Sequence, residues 1–257
     1  MILGRPAIAL LAVPLLLAGC ASVPRDPATR AVFKANNDPL EPLNRRTFAF
    51  NLFLDRILIK PIAKGYRRAL PGPGRDAIRH FLDNLDEPIV FANTALQGRF
   101  RDAGTTAARF LVNSIAGFAG LDDPASRGKL RKQVGDFGQT LWAWGIPEGP
   151  YLIVPVIGPS SPRDLVGSGV DVYGDPFRYI ARQGHYPTAL TAGRTVVDGI
   201  DKRSRNIESL EEMQREAVDY YASFRSLFRQ NRAAELRNNA SAPPLPPDFY
   251  EDPGSAR

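Results

Sequence analysis

A single cysteine and two histidines in 257 residues leave little for most enzyme chemistry. One thiol excludes an intramolecular disulfide, a thiolate zinc site and a cysteine-ligated cluster. No segment beyond residue 20 approaches about twenty consecutive apolar residues, which excludes a conventional transmembrane helix in the mature chain. A strong excess of one charge is also missing: 33 Lys and Arg oppose 27 Asp and Glu, a net +6. That balance is too mild for a dedicated nucleic-acid binder and suits an anionic membrane surface. Neither G-x-S-x-G nor H-E-x-x-H occurs, nor a phosphate-cradling loop or a Cys–His pairing. His80 and His185 stand alone in the sequence, and Asp122-Asp123 reads as a helix-capping turn rather than an acid/base dyad. No catalytic residue, metal ligand or cofactor is expected.

Glycine and proline are plentiful, 22 and 23 residues. The chain opens with Arg5 and an apolar stretch from Ala7 to Leu17, too short to span a bilayer and ending in small residues. Residues 1–19 therefore read as a signal peptide. The junction Leu17-Ala18-Gly19-Cys20 resembles a bacterial lipobox, which makes Cys20 the expected lipidation site. Two or more acyl chains, at about 0.8 kcal/mol per buried methylene, hold a protein on a membrane where one does not. By the same resemblance Ala21-Ser22, without an Asp after the cysteine, implies sorting to the outer membrane. Residues 20–37 read as a lipidated polar tether, 38–237 as one domain and the proline-rich 238–257 as a disordered tail.

A helix is expected from Asn44 to Ile59. Asn44, Thr47, Asn51 and Asp55 make a narrow polar stripe, while Phe48, Phe50, Phe53, Leu54, Ile57 and Leu58 belong to an unusually wide apolar sector. Either this helix is deeply buried or those side chains face the hydrocarbon of one leaflet. Between Arg56 and Arg75 there are six basic residues and no acidic one. Pro61 starts a new turn, which puts Lys60, Lys64, Arg67 and Arg68 on one face, as a solvated surface or as contacts to lipid headgroups. A helix carrying Ile78 to Leu96 is kinked or restarted at Pro88. Another, from Arg101 to Phe118, presents Phe110, Leu111 and Phe118 as membrane-facing candidates. Six glycines and six prolines between residues 145 and 176 disfavour long helices and central strands there. Helical periodicity returns after Gly193 and runs from Ile207 to Leu227.

Several short strings are more specific than composition. They include Asp38-Pro39-Leu40-Glu41 with Asn44-Arg45, Asn84-Leu85 with Glu87-Pro88, and Leu96-Gln97-Gly98. Arg109-Phe110, Asp136-Phe137-Gly138-Gln139-Thr140-Leu141, Gly149-Pro150-Tyr151, Gly158-Pro159-Ser160 and Arg163-Asp164 follow in order. With the lipobox in front, the series resembles the MlaA (VacJ) family of outer-membrane lipoproteins. The resemblance implies an all-α fold, a ring-shaped bundle of amphipathic helices embedded in the periplasmic leaflet, with a Gly/Pro-rich irregular segment and a central channel. It implies removal of mislocalised phospholipid from the outer leaflet, delivery to a periplasmic lipid-carrier protein, and association with trimeric porins. It also places a flexible channel loop at Gly145 to Gly149 and a basic channel residue at Arg194, where a plain surface charge is the alternative. A lipid-acting hydrolase and a porin-bound structural lipoprotein without transfer activity are the competing functions.

Overall fold

The computed structural model describes residues 24–182 and 187–238. Cys20, the signal peptide, His185 and the tail beyond residue 238 lie outside them. Among the described residues the chain is all-α apart from one hairpin. Its helices are α1 (Pro27–Asn36), α2 (Glu41–Leu54), α3 (Lys60–Ala69), α4 (Gly72–Leu96), α5 (Phe100–Ile115) and α6 (Pro124–Arg127). After α7 (Phe137–Ala143) come strands β1 (Leu152–Val154) and β2 (Gly158–Ser160), antiparallel with Ile153 opposite Pro159. Then follow α8 (Pro162–Gly174), α9 (Pro176–Arg182), α10 (Pro187–Arg205), α11 (Ile207–Glu216) and α12 (Tyr220–Asn238).

The expected elements are present with four changes. Pro61 lies in the first turn of α3, as expected, but a π-turn over Asp55–Ile59 joins α2 to α3 without a break. There the Lys60 N–H reaches back to the Asp55 carbonyl, a wider loop than the α-helical one. The wider turn makes room for a proline ring that would crowd the preceding carbonyls. Residues 145–176 do hold a helix, the 13-residue α8. Pro162 sits in its first turn, where a missing N–H costs nothing, and the Ser161 hydroxyl accepts from the Asp164 N–H at 3.2 Å. Gly167 is needed for contact with α7: a Cβ there would lie 2.3 Å from the Gly138 nitrogen. The period from Ile207 to Leu227 is cut at Ala217, which is extended, and the Asp219 carboxylate accepts from the Ala222 N–H at 3.1 Å as α12 begins. Part of the expected tether is helical, as α1.

The interior is polar. Among the described residues eighteen buried side chains are polar or charged against ten apolar ones, and the apolar core proper is a small cluster of Phe48, Tyr151, Ile153 and Tyr221. The exterior is the reverse: Phe100, Ile115 and Phe118 are 74%, 80% and 78% exposed. The α2 stripe explains the inversion at residue level. Asn44 donates to the Tyr151 carbonyl at 3.0 Å and accepts from the Ile153 N–H at 2.9 Å. Two turns on, Asn51 donates to the Val154 carbonyl at 3.0 Å and accepts from the Val156 N–H at 2.8 Å. One turn further Asp55 receives Arg203 of α10 at 2.7 and 2.9 Å. The polar stripe thus faces inward, and Phe50, Phe53, Ile57 and Leu58 face out.

Three further polar knots tie the helices together. Arg109 on α5, 1% exposed, donates to Glu87 of α4 at 2.9 Å, Asp123 at 3.1 Å, the Leu130 carbonyl at 2.6 Å and the Ser126 hydroxyl at 3.1 Å. Asp123 also caps α6, accepting from the Ser126 N–H at 3.0 Å. Asp38 accepts from Asn44, from the Tyr221 hydroxyl and from Arg225 of α12. Arg232 of α12 joins the first turns of α7 and α8 through Asp136 and Asp164, at 2.7 to 3.1 Å.

Removing one member of such a knot leaves its partners charged and buried, at a cost of about 3–5 kcal/mol. We therefore predict that Arg109→Leu lowers unfolding stability in detergent by about that amount, and that Arg109→Leu with Glu87→Leu recovers part of it. Asp123 and Asp164 are raised by burial, but hydrogen bonds, from Ser126 and Arg109 to the first and from Arg232 to the second, outweigh it and hold both below the usual carboxylate range. The stability they supply is complete above about pH 4, the unfolded value, and disappears as the pH falls through their depressed values. Thermal melts should decline below about pH 4, less steeply in Asp123→Asn.

Candidate functional site

Arg194 is not a plain surface charge. It projects from α10 with its side chain 14% exposed, between Asp86 of α4 and Asp175 at the α8–α9 junction, donating to each at 2.5 Å. Its guanidinium also lies over the Phe177 ring, 5.1 Å from the centroid. The Asp175 carboxylate is itself fixed by accepting from the Phe177 N–H at 2.9 Å. Around this cluster is a cavity of about 440 Å3 formed by α4, α8, α9 and α10. Leu82, Ile89, Val172 and Phe177 supply apolar lining, and Thr188, Thr191, Thr195, Arg178 and four carboxylates supply polar lining. Burial pushes Asp86 up against the opposing pull of Arg194, and pushes Asp171 up against hydrogen bonds from the Phe137 N–H and Asn93. A cavity lined by both apolar and polar side chains accommodates an amphipathic molecule.

Asp86 and Asp175 are the site residues that sequence reasoning missed. Each belongs to a different element from Arg194, so no spacing connects them. The signal at Asp86 was its place beside Glu87-Pro88 in one of the specific strings.

Gly145 and Gly149 do not line this cavity. Gly145, at φ 86°, ends α7: its N–H reaches the Trp142 carbonyl and the Ile146 N–H reaches the Leu141 carbonyl, both at 2.9 Å. That is the left-handed glycine cap of a helix. Gly149, at φ 78°, accepts from the Asn37 amide at 2.6 Å and lies against the Pro162 ring. The segment between them is exposed at Ile146 and Pro147.

The basic stripe is mostly committed to α11. Lys60 and Lys64 meet Glu211 at 2.8 and 3.6 Å, and Arg67 meets Glu208 at 2.5 Å. Three cations thus meet two carboxylates, and Lys64, 44% exposed, shares Glu211 with Lys60. Arg56 and Arg68 are exposed and make no ion pair among the described residues. The membrane-facing set needs a correction at Phe48, which is buried with its ring 5.2 to 5.5 Å from those of Tyr220, Tyr221 and Phe224. Leu54 and Phe110 are half-buried, whereas Phe50, Phe53, Ile57, Leu58, Leu111 and Phe118 are exposed. Phe100, Ile115 and Ile180 join the exposed apolar surface without having been anticipated. No described helix is long and apolar enough to cross a membrane.

The described residues thus form a mainly helical fold with polar knots inside, apolar side chains outside and a cavity of mixed lining. The MlaA lipoprotein family profile matches residues 36–235, and the chain belongs to that family. It is 32% identical to the intermembrane phospholipid transport system lipoprotein MlaA of Haemophilus influenzae over 92% of this chain and 93% of that one. To the protein of the same name in Escherichia coli K12 it is 31% identical, over 84% and 82%. A solved structure reported as the structural basis for maintenance of bacterial outer membrane lipid asymmetry superposes with a TM-score of 0.69. It shares 31% identity and covers 77% of this chain and 98% of its own.

The two glycines separate by their surroundings. A Cβ at Gly145 meets nothing within 4 Å, so Gly145→Ala should cost only the left-handed backbone, about 1 kcal/mol. A Cβ at Gly149 would lie 3.1 Å from the Pro162 ring, so Gly149→Ala should cost more. Thermal melts of the two variants in detergent test that order.

Proposed function

We propose that this chain is an outer-membrane lipoprotein that removes mislocalised phospholipid from the outer leaflet and passes it to a periplasmic carrier for return to the inner membrane. Acyl chains on Cys20 anchor it to the periplasmic leaflet, and its helices form a ring lying within that leaflet. The observation that carries this reading is the inverted polarity of the fold in a member of a phospholipid-transport lipoprotein family. Exposed Phe, Leu and Ile side chains gain by entering hydrocarbon, while paired polar groups inside avoid the penalty an unpaired group would suffer there.

A phospholipid needs a path with a polar side for its headgroup and an apolar side for its tails. The cavity around Arg194 is lined by both kinds of side chain, and it is our candidate for part of that path. Gly145 and Gly149 bracket the segment that we assign to the channel loop. Trimeric porins are the proposed neighbours in the membrane, and a soluble lipid carrier is the proposed acceptor. No bond is made or broken in this scheme.

In a deletion strain, wild-type protein should restore low outer-leaflet phospholipid. Arg194→Asp, which sets a third carboxylate between Asp86 and Asp175, and Gly145→Pro should not, although both variants still reach the membrane. Arg194→Lys should restore transport in part. Normal asymmetry with Arg194→Asp would remove this cavity from the path. Membrane association should survive Cys20→Ala in part and be lost when Phe53→Lys and Ile57→Lys are added, as measured by fractionation.

A further inference from the structure

A second cavity, of about 270 Å3, lies away from Arg194 between α2, the π-turn, the β-hairpin, α11 and α12. It shares no lining residue with the first. Its walls are mainly apolar, with Leu52, Ile153, Leu210 and Phe224 among them. The charged groups in its lining are Arg56, Lys60 and Arg203 against Asp55 and Glu211, an excess of one positive charge.

Three features mark this cavity as built rather than incidental. Arg203 has only 13% of its side chain exposed, and Nε and Nη2 are taken by Asp55, but Nη1 is buried with no hydrogen-bond partner. A buried guanidinium N–H left unmatched beside an apolar cavity carries a desolvation cost that an incoming anionic oxygen would remove. The π-turn lines the same wall with Asp55, Arg56 and Ile59, and such turns cluster at functional sites. Between the hairpin strands, Val156, which also lines the cavity, takes φ 70°, a left-handed conformation that a β-branched residue rarely adopts. The Asn51 side chain holds the Val156 N–H at 2.8 Å, and this fixes the largely exposed Val156 and Ile157 side chains at the cavity edge.

We infer that this second cavity retains one acyl chain of a phospholipid, with the lipid phosphate drawn to the Arg203 guanidinium and Arg56. The inference goes beyond passage through the Arg194 cavity, since it assigns a stationary lipid site in a different part of the fold. It rests on the family's phospholipid chemistry for the occupant and on the lining for the place.

The test is photolabelling of the full-length protein in detergent with a phospholipid carrying a diazirine in one acyl chain, followed by peptide mapping. Adducts are expected at Leu210, Phe224 or Ile157. Leu210→Trp, which fills the cavity without touching its ion pairs, should lower their yield about tenfold, with the thermal melt unchanged. Arg203→Lys should weaken labelling less than Arg203→Gln, whereas Arg194→Ala should leave it intact. The site is overturned if adducts fall only on the outer residues Phe50, Phe53 and Ile57, or if Leu210→Trp labels like wild type. Stronger labelling by a diazirine fatty acid than by the phospholipid would overturn the assignment of the occupant. Because labelling is read in vitro, its failure leaves the asymmetry assay in cells to stand or fall separately.

Discussion

The inward turn of the α2 polar stripe is the constraint on which the other features depend. Asn44 and Asn51, seven residues apart, lie two turns apart on the same face, and each side-chain amide pairs with a donor and an acceptor of the hairpin backbone. Each amide thus serves as a short piece of neighbouring strand, satisfying backbone groups that a two-stranded hairpin leaves open. Once those groups fix the rotation of α2, the apolar sector has only one direction left, which is outward. In water that arrangement forfeits much of the driving force for folding. In hydrocarbon it is the favourable one, because exposed apolar groups lose nothing there and unpaired polar groups lose a great deal.

The rest of the architecture follows from a scarcity of apolar core. Buried ion pairs are a poor source of net stability compared with well-packed apolar side chains, but they are costly to break and directional. Arg109 joins consecutive helices while Arg225 and Arg232 bridge elements distant in sequence, and each meets carboxylates already fixed as helix caps or by further hydrogen bonds. A frame joined in this way holds its helices at defined spacings without filling the space between them. Cavities can then persist beside the joints, as they do next to Arg194 and Arg203.

The helices and their approximate limits were legible because proline, glycine and apolar periodicity are local signals. The capping role of Asp123 was legible for the same reason. What stayed hidden depended on partners distant in sequence. The wide apolar sector of α2 was visible, but its placement required knowing that Asn44 and Asn51 bind a segment about a hundred residues away. The basic stripe at Lys60, Lys64 and Arg67 looked free because Glu208 and Glu211 belong to another helix. Glycine content concealed α8, since Gly167 serves close approach to Gly138 rather than a turn. Arg194 came from the family resemblance, and only the fold supplied the two aspartates that define its environment.

Those aspartates bear on how the two cavities differ. Around Arg194 four carboxylates outnumber two guanidiniums, and Asp86 and Asp175 already occupy the Arg194 donors. A lipid phosphate arriving there must compete with two carboxylates, so no single position binds it tightly. Transit requires that weakness, since a site on a path must release what it admits. Around Arg203 the balance is reversed, with cations in excess and one donor unmatched. Passage and retention make opposite electrostatic demands, and on the proposed reading this chain meets them in separate cavities. Keeping them apart lets a lipid held at Arg203 brace the hairpin and α12 without blocking the route past Arg194.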